Sequence, residues 1–368
     1  MAAPLAPRGA ALKRPDPGGA LGTPKRAAPG EATLALEHPD PAEVLAAFEL
    51  SRRPGVGAAS FKRLLALHLT PRRALAALDA AAGGGETAGA GAAGEAAGAG
   101  AAGGASETAG AGAANDARVA GGVSKPKGAR PKATLGEGLA RTRAFLDAGG
   151  YVTYPGAPGY PATLCDLGEP PPLLFVRGRP EVLAGPLVAI VGSREADGGA
   201  LAEARALARA CAAAGVGVVS GGAAGIDAAA HEGALEADGL TVALLGCGVD
   251  IVYPPGHDAL FARILGCGAL ASELLPGTEP RASFFPTRNR LVAGLARATI
   301  VVRGGAKSGA LYTAHWARRL GRPLFVLRTR PGDPLGEANR RLAAEGATEL
   351  EGPDALAGWL ARGPFKAP

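Results

Sequence analysis

The stretch that decides the fold is "GVGVVSGGAAGIDAAAHEGAL", residues 215–235. It begins as a β-branched run, passes through glycines at 221, 222 and 225, and continues with small apolar residues at helical spacing. A strand, a glycine loop and a helix N-terminus in this order place unpaired N–H groups and the positive end of the helix dipole beside the loop. The stretch therefore predicts an anion-binding turn, with Gly221, Gly222 and Gly225 as candidate contacts.

Further apolar runs share the character of the run that ends at Ser220, since they are mostly β-branched or leucine-rich and keep charge at their ends. They cover residues 186–193, 240–246, 268–273, 298–303 and 322–328. Such runs fit strands of a parallel sheet covered on both faces. Helical segments alternate with them, which predicts a doubly wound α/β domain. Ligands of such domains lie beyond the carboxyl ends of the strands, so the loops after 192, 220, 246, 273 and 303 are expected along one rim.

Composition divides the 368 residues into segments. We expect a disordered tail (1–36), a small helical module (37–80), a Gly/Ala-rich linker (81–133), the α/β domain (134–351) and a C-terminal tail (352–368). The linker carries almost no large apolar side chain, so it cannot offset the entropy cost of ordering. The helical module is interpreted as SAM-like or helix-hairpin-helix.

The helical module contains "PGVG", residues 54–57, followed by a basic helix. This could be a hairpin whose N–H groups bind a nucleic-acid phosphate. A plain turn between two helices explains the same residues, and we favour that interpretation.

The chain is expected to be cytoplasmic and to hold neither a metal nor a cofactor. Its four cysteines lack C-x-x-C spacing and the density of a disulfide scaffold, which indicates a reducing compartment without zinc. The first residues lack the apolar core of a signal peptide, and no eighteen apolar residues run together, so no membrane span is predicted.

Charge is distributed unevenly along the chain, whose formal net charge is +6. Residues 185–280 hold eleven acids and four bases, whereas residues 281–330 hold eleven bases and no acid. A solvated face normally mixes both signs, so this basic strip predicts a surface for a polyanion. An arginine-rich genome is the simpler alternative.

Several residues of the predicted rim are candidate contacts for the phosphates of that polyanion. They are Arg194 after the first run, Arg288, Asn289 and Arg290 in "FPTRNR", and Lys307 and Ser308 at a helix N-terminus. Pro286 fits the first turn of a helix, where the dipole already favours anions. Replacing Arg288 and Arg290 together is expected to weaken binding without unfolding the domain. Phe284 and Phe285 are interpreted as core residues, although either could stack on a base if exposed.

Asp227 and His231 lie four residues apart on one helical face. They could be a catalytic pair or metal ligands, but an aspartate in a first turn is ordinary capping chemistry. We therefore interpret both as structural supports of the glycine loop. Two nucleotide motifs are not matched: there is no G-x-G-x-x-G after the first run, and Ala306 replaces the glycine before Lys307 in a P-loop.

The motifs "VAIVGSR", "SGGAAGID" with a following "AH", "FPTRNRLVAGLA" and "SGALYTAHWA" occur in the order found in the DNA processing protein A (DprA/Smf) family. The resemblance spans about residues 150–351. It implies an extended Rossmann-like, doubly wound parallel sheet with a small helical module, and a dimer that binds single-stranded DNA. It also implies RecA as a partner, loaded onto DNA during natural transformation or general recombination.

The sequence departs from the family pattern at three places. Ala224 stands where the glycine loop usually has arginine, and no base follows the Tyr253-Pro254 turn. Arg303 replaces a common glutamate, which is expected to extend the basic strip.

Two functions from different classes remain open. The first is a non-catalytic mediator that holds single-stranded DNA by its phosphates. The alternative is an enzyme similar to nucleoside-monophosphate phosphoribohydrolases, which use a glutamate beside the ribose. The comparable stretch "RGGAKSGALYTAH", residues 303–315, has no carboxylate, so the non-enzymatic hypothesis is favoured.

Overall fold

The computed structural model describes residues 36–83 and 133–362. The expected tail (1–36) and linker (81–133) therefore lie almost entirely outside the described residues. The helices are α1 (Pro41–Arg52), α2 (Ala58–His68), α3 (Pro71–Gly83), α4 (Leu135–Asp147), α5 (Gly198–Ala213), α6 (Ile226–Glu236), α7 (Asp258–Cys267), α8 (Phe284–Leu295), α9 (Ala310–Arg319), α10 (Glu337–Ala344) and α11 (Pro353–Arg362). The strands are β1 (Tyr151–Thr153), β2 (Leu174–Gly178), β3 (Leu187–Val191), β4 (Gly217–Ser220), β5 (Thr241–Leu244), β6 (Ala269–Ser272), β7 (Ala298–Val301), β8 (Leu324–Leu327) and β9 (Thr348–Leu350).

The strands form one sheet in the order β1-β2-β6-β5-β4-β3-β7-β8-β9. The seven strands from β6 to β9 in this order are parallel, and β1 and β2 extend one edge in antiparallel pairing. The chain moves outward from β3 in one direction through β6, then returns to start again at β7 on the other side. This arrangement confirms the predicted extended Rossmann-like, doubly wound fold and puts its switch point between β3 and β7.

The sheet is buried on both faces, as its continuous apolar runs predict. In β3, Leu187, Ala189 and Val191 pack with α8 and α9, whereas Val188 and Ile190 pack with α5, α6 and α11. Alternate residues of a strand point to opposite faces, so every position of β3 needs an apolar side chain. All six apolar runs read from the sequence form strands.

The helical module does not end where the sequence indicates. The sequence-based division places helix α4 in the α/β domain. In the structure α4 packs on α1, and the Phe48 ring lies against Gly138. Helix α3 continues to Gly83, three residues into the expected linker. The α1–α2 turn contains Gly55 in the left-handed region, with φ of 79°. The proposed phosphate contact of this turn stays a prediction.

The expected C-terminal tail is wrong for most of its length. Residues 353–362 form α11, whose Leu356 and Leu360 are buried against the sheet beside Phe325. The Trp359 ring meets the Phe325 ring edge-on, with centroids 4.8 Å apart. The spacing of four between the two leucines is the helical signal in this segment.

Candidate nucleic-acid interface

A cleft of about 530 Å³, here called the rim cleft, opens at the carboxyl edge of the parallel strands, at the β3/β7 switch point. It is lined by Val191–Glu195, Gly221, Ala223, Asp227, Tyr253, Pro280–Ala282, Phe285, Pro286, Arg288, Asn289, Val292, Lys307–Ala310, Tyr312 and Thr313. All five loops expected along one rim contribute to it. The carboxyl ends of parallel strands share one edge, so residues far apart in sequence meet here.

The glycine loop is close to the cleft, but the N–H of its first glycine is not free. The Gly221 N–H donates to Asp227 Oδ2 at 3.1 Å. A Cβ at position 221 would lie 2.6 Å from both Arg288 Nη2 and Asp227 Oδ2, so glycine is required for this close approach. Gly225 precedes α6 with φ of 80° and lines neither the rim cleft nor its neighbour, and Gly222 lines only an adjoining recess of about 230 Å³.

The Asp227 side chain is hydrogen-bonded to the glycine loop. It lies in the first turn of α6 and is 8% exposed. Burial raises the pKa of its carboxyl, and the guanidinium of Arg288 acts in the opposite direction. Because one carboxylate oxygen already accepts the Gly221 N–H, the side chain fixes the turn between β4 and α6.

His231 lies one turn after Asp227 in α6, and its hydrogen-bond partner is not Asp227. Its Nδ1 lies 2.7 Å from the Thr241 hydroxyl oxygen, and that hydroxyl donates to the Val218 carbonyl at 3.0 Å. Because the hydroxyl proton is used, Nδ1–H is the donor. Full burial lowers the pKa of His231 to about 3. Among the described residues no group of three or more His, Cys, Asp or Glu side chains could hold a metal.

The low pKa of His231 predicts a loss of stability in acid. Between pH 6.5 and about 3 the unfolded chain binds a proton at this residue that the folded chain does not, so stability falls as pH falls. In His231→Asn the amide nitrogen replaces Nδ1 without titrating. We expect urea unfolding at pH 7.5 and 5.0 to show about 2 kcal/mol less acid destabilisation in the variant than in the wild type. Equal pH dependence in both proteins would contradict a neutral buried imidazole.

Arg288 is not the exposed phosphate contact that the sequence suggests. It is 4% exposed, and its guanidinium donates to the carbonyls of Gly221 and Leu244. Burial lowers its pKa to about 10, and the charge of Asp227 opposes that shift. The arginine stays protonated at neutral pH and ties the ends of β4 and β5 to α8. It forms the floor of the rim cleft.

Arg290 lies outside the rim cleft, which corrects the second expected phosphate contact in "FPTRNR". One nitrogen pairs with Glu273, and another donates to the Glu169 carbonyl at 2.8 Å. Pro286 does lie in the first turn of α8, as predicted. Residues 288 and 290 nevertheless point to different sides, because two helical residues two positions apart are separated by about 200°.

Phe285 is half-buried and lines the cleft, so its interpretation as a core residue is wrong. The Arg194 guanidinium lies 5.0 Å from its ring centroid, and the Tyr253 ring lies 5.4 Å away, tilted by 30°. Phe284 is half-buried too, with the Arg281 guanidinium 5.8 Å from its ring. Aromatic rings beside cations are a combination that single-stranded nucleic-acid sites use.

The loop after β7 supplies one exposed cation and a well-bonded frame. Lys307 is exposed, and no carboxylate in residues 36–83 or 133–362 pairs with it. Ser308 accepts the Ala310 N–H at 3.3 Å, and Asn289 donates to the Gly309 carbonyl at 3.0 Å. Both side chains line the cleft while holding the start of α9.

Five of the eleven bases of the strip form ion pairs with acids that precede or follow the strip in sequence. Arg290, Arg303, Arg318, Arg322 and Arg328 pair with Glu273, Glu203, Glu345, Asp166 and Glu349 respectively. Arg303 also lies 3.4 Å from Asp333, so it does not extend a basic surface. Long-range ion pairs therefore account for part of the uneven charge, and of the strip only Arg281, Arg288 and Lys307 line the cleft.

Sequence reasoning missed several cleft residues. Arg281, Tyr253 and Tyr312 were not singled out, although Arg281 stands at the start of the basic strip. Glu195 was missed as well, and it puts an exposed carboxylate on the cleft wall. This carboxylate bears on the enzymatic alternative, which the sequence disfavours because residues 303–315 contain no acid. Among the described helices, none has both the length and the apolar character to cross a membrane.

A doubly wound sheet with a cleft at its switch point defines an extended Rossmann-like protein. The sequence profile described as "DNA recombination-mediator protein A" matches residues 151–360. The chain belongs to this family.

Relatives in three bacteria are similar over part of their length. Protein Smf of Synechocystis is 40% identical over 181 residues, which are 48% of this chain and 46% of that protein. A putative DNA processing protein DprA of Mycobacterium tuberculosis is 46% identical over 174 residues, 47% of this chain and 44% of that one. This chain thus spans about half of each. DprA of Streptococcus pneumoniae is 37% identical over 199 residues, 54% of this chain and 70% of that protein.

Two solved structures share the fold. The X-ray structure of DprA from Streptococcus pneumoniae has a TM-score of 0.54 at 30% identity and covers 63% of this chain and 83% of its own. The structure of DprA from Helicobacter pylori has a TM-score of 0.53 at 29% identity and covers 58% of this chain and 96% of its own. The latter structure concerns that protein's "unique single-stranded DNA binding mode".

Proposed function

We propose that this protein binds single-stranded DNA through the rim cleft, by its phosphates. The observation that carries the proposal is the position of Arg194, Arg281 and Lys307 around one cleft, with the half-exposed Phe285 ring beside Arg194. Cations hold the backbone and the aromatic face takes a base, a combination that tolerates any sequence. The single-stranded DNA binding of the Helicobacter pylori relative supports the same assignment.

A single strand fits the rim cleft better than a duplex does. A cleft of about 530 Å³ is of the size that encloses a small ligand, and only a flexible strand can place one of its nucleotides inside it. In a duplex the bases are paired and stacked, so none is free to meet Phe285. Duplex binding would then depend on charge alone.

The next step that we propose is transfer of the bound strand to a RecA recombinase, during natural transformation or general recombination in the cytoplasm. The protein would act as a homodimer and without catalysis of its own. The family description, recombination mediator, supports this role. A faster growth of RecA filaments on single-stranded DNA in the presence of this protein would support it, and an unchanged rate would contradict it.

A titration of fluorescent oligothymidine of about 20 nucleotides, against the matching duplex, tests the binding. We expect the single strand to bind more tightly. We also expect log affinity to fall with log salt concentration, with a slope of about 0.7 per phosphate neutralised. Equal affinity for both forms, or binding that salt does not weaken, would contradict the proposal.

The enzymatic alternative has one specific observation in its favour, the carboxylate of Glu195 at the cleft. A nucleoside-monophosphate phosphoribohydrolase needs an acid beside the ribose. The Glu195 backbone N–H is bonded to the Ser193 hydroxyl at 3.2 Å, which holds the residue in a tight turn. Incubation with nucleoside monophosphates decides the matter, since release of free base would overturn the non-catalytic proposal, and Glu195→Gln would abolish that release.

A further inference from the structure

The rim cleft carries more positive charge than one phosphodiester needs. Four cations line it, Arg194, Arg281, Arg288 and Lys307. Two carboxylates, Glu195 and Asp227, oppose them, so the lining has an excess of at least two positive charges. A phosphodiester inside a strand brings one negative charge, whereas a terminal phosphate brings about 1.5 to 2 at pH 7 because its second pKa is about 6.

Two of these cations have no competing carboxylate. Among residues 36–83 and 133–362 no acid pairs with Arg281 or Lys307, which line the cleft from the loops after β6 and β7. The arginines of residues 281–330 that form ion pairs do not line the cleft. Arg281 and Lys307 therefore remain available to an anion that enters from solvent.

Helix termini add to this charge. The first turns of α8 and α9 line the cleft, and neither turn contains an acid or a side-chain hydrogen bond from its N-cap. By contrast, the first turn of α5 is capped by Asp197, which accepts the Ala200 N–H at 2.7 Å. The positive ends of the α8 and α9 dipoles thus face the same space as Arg281 and Lys307, although the Ala310 N–H of α9 is already bonded to Ser308 Oγ.

We propose that the rim cleft is a site for a phosphate monoester, which it holds in preference to a phosphodiester within a strand. The inference rests on the proposed DNA binding and refines it. The ligand is either the phosphorylated end of a DNA strand or a free nucleoside monophosphate, since both present the same dianion on a nucleoside. The position at the switch point suits both, because doubly wound domains bind the phosphates of small nucleotides there.

Matched oligonucleotides test the preference. Oligothymidine of about 20 nucleotides is titrated with a 5′-phosphate or a 5′-hydroxyl, and dTMP or thymidine is added as competitor. We expect the phosphorylated strand to bind about tenfold more tightly at pH 7.5. This preference shrinks at pH 5.0, where the monoester has lost its second charge. Displacement of DNA by dTMP but not thymidine identifies the free nucleotide as a ligand, and preference without displacement identifies the strand end.

Two variants locate the preference. Lys307→Gln removes one cleft cation and is expected to reduce the tenfold ratio to about threefold, whereas Arg319→Gln removes an equal charge from the outer side of α9 and leaves the ratio unchanged. Equal affinity of both strands together with no effect of dTMP overturns the inference while DNA binding itself stands. A ratio that Lys307→Gln leaves unchanged overturns its assignment to this cleft. Absence of binding to either strand would instead contradict the proposed function.

Discussion

Arg288→Ala is expected to lower the free energy of unfolding by about 3–5 kcal/mol, the usual loss when one member of a buried charged pair is removed. Arg288 is 4% exposed and donates to the carbonyls of Gly221 and Leu244. Without it, both carbonyls and the buried Asp227 carboxylate lose their compensating charge, and a cavity opens beneath the cleft. Urea unfolding at pH 7.5 measures the loss.

Arg281→Ala is the matched control. Arg281 lines the same cleft but is only half-buried and pairs with no acid among the described residues, so its removal should change stability by no more than about 0.5 kcal/mol. Similar losses in both variants would show that Arg288 has no special structural role. The result also bears on the double replacement of Arg288 and Arg290, which we now expect to unfold the domain instead of merely weakening DNA binding.

Replacing Arg194 and Lys307 together by alanine should weaken single-stranded DNA binding by about 100-fold at low salt. Each side chain is exposed at the cleft and can make one charge-assisted contact with a phosphate, which contributes about 1.5 kcal/mol. Two such contacts amount to about 3 kcal/mol, or two powers of ten in affinity. The salt slope should flatten by about 1.4, because two fewer phosphates are neutralised.

The control for this pair is Arg319→Ala with Arg341→Ala. These exposed arginines carry the same total charge on α9 and α10, and neither lines the rim cleft. Their loss should change affinity by less than threefold, through the general field of the protein alone. If both double variants bound DNA equally well, the rim cleft would not be the DNA site. Unfolding curves for both double variants should show an intact fold, since none of the four side chains is buried.

Much of the fold could be predicted from the sequence, because it follows from local pattern. Runs such as 186–193 and 298–303 form strands that are buried on both faces, which requires apolar side chains at consecutive positions. The same holds for the turn at 221–225, where glycine is the residue that permits close approach and unusual dihedral angles. The meeting of five loops at one rim then follows from the direction of parallel strands. The antiparallel edge strands β1 and β2 were missed, since runs of three to five residues carry little pattern.

The sequence alone determined the doubly wound sheet, the switch-point rim and the family, since each depends on short-range pattern or on motif order. Only the tertiary structure decided which basic residues are free. Arg290 is paired with Glu273, 17 positions away, and Arg303 with Glu203, 100 positions away, whereas Lys307 has no such partner among the described residues. Burial and ion pairing depend on neighbours that the fold brings together from distant positions. A strip of eleven bases therefore cannot by itself reveal which of its charges face solvent.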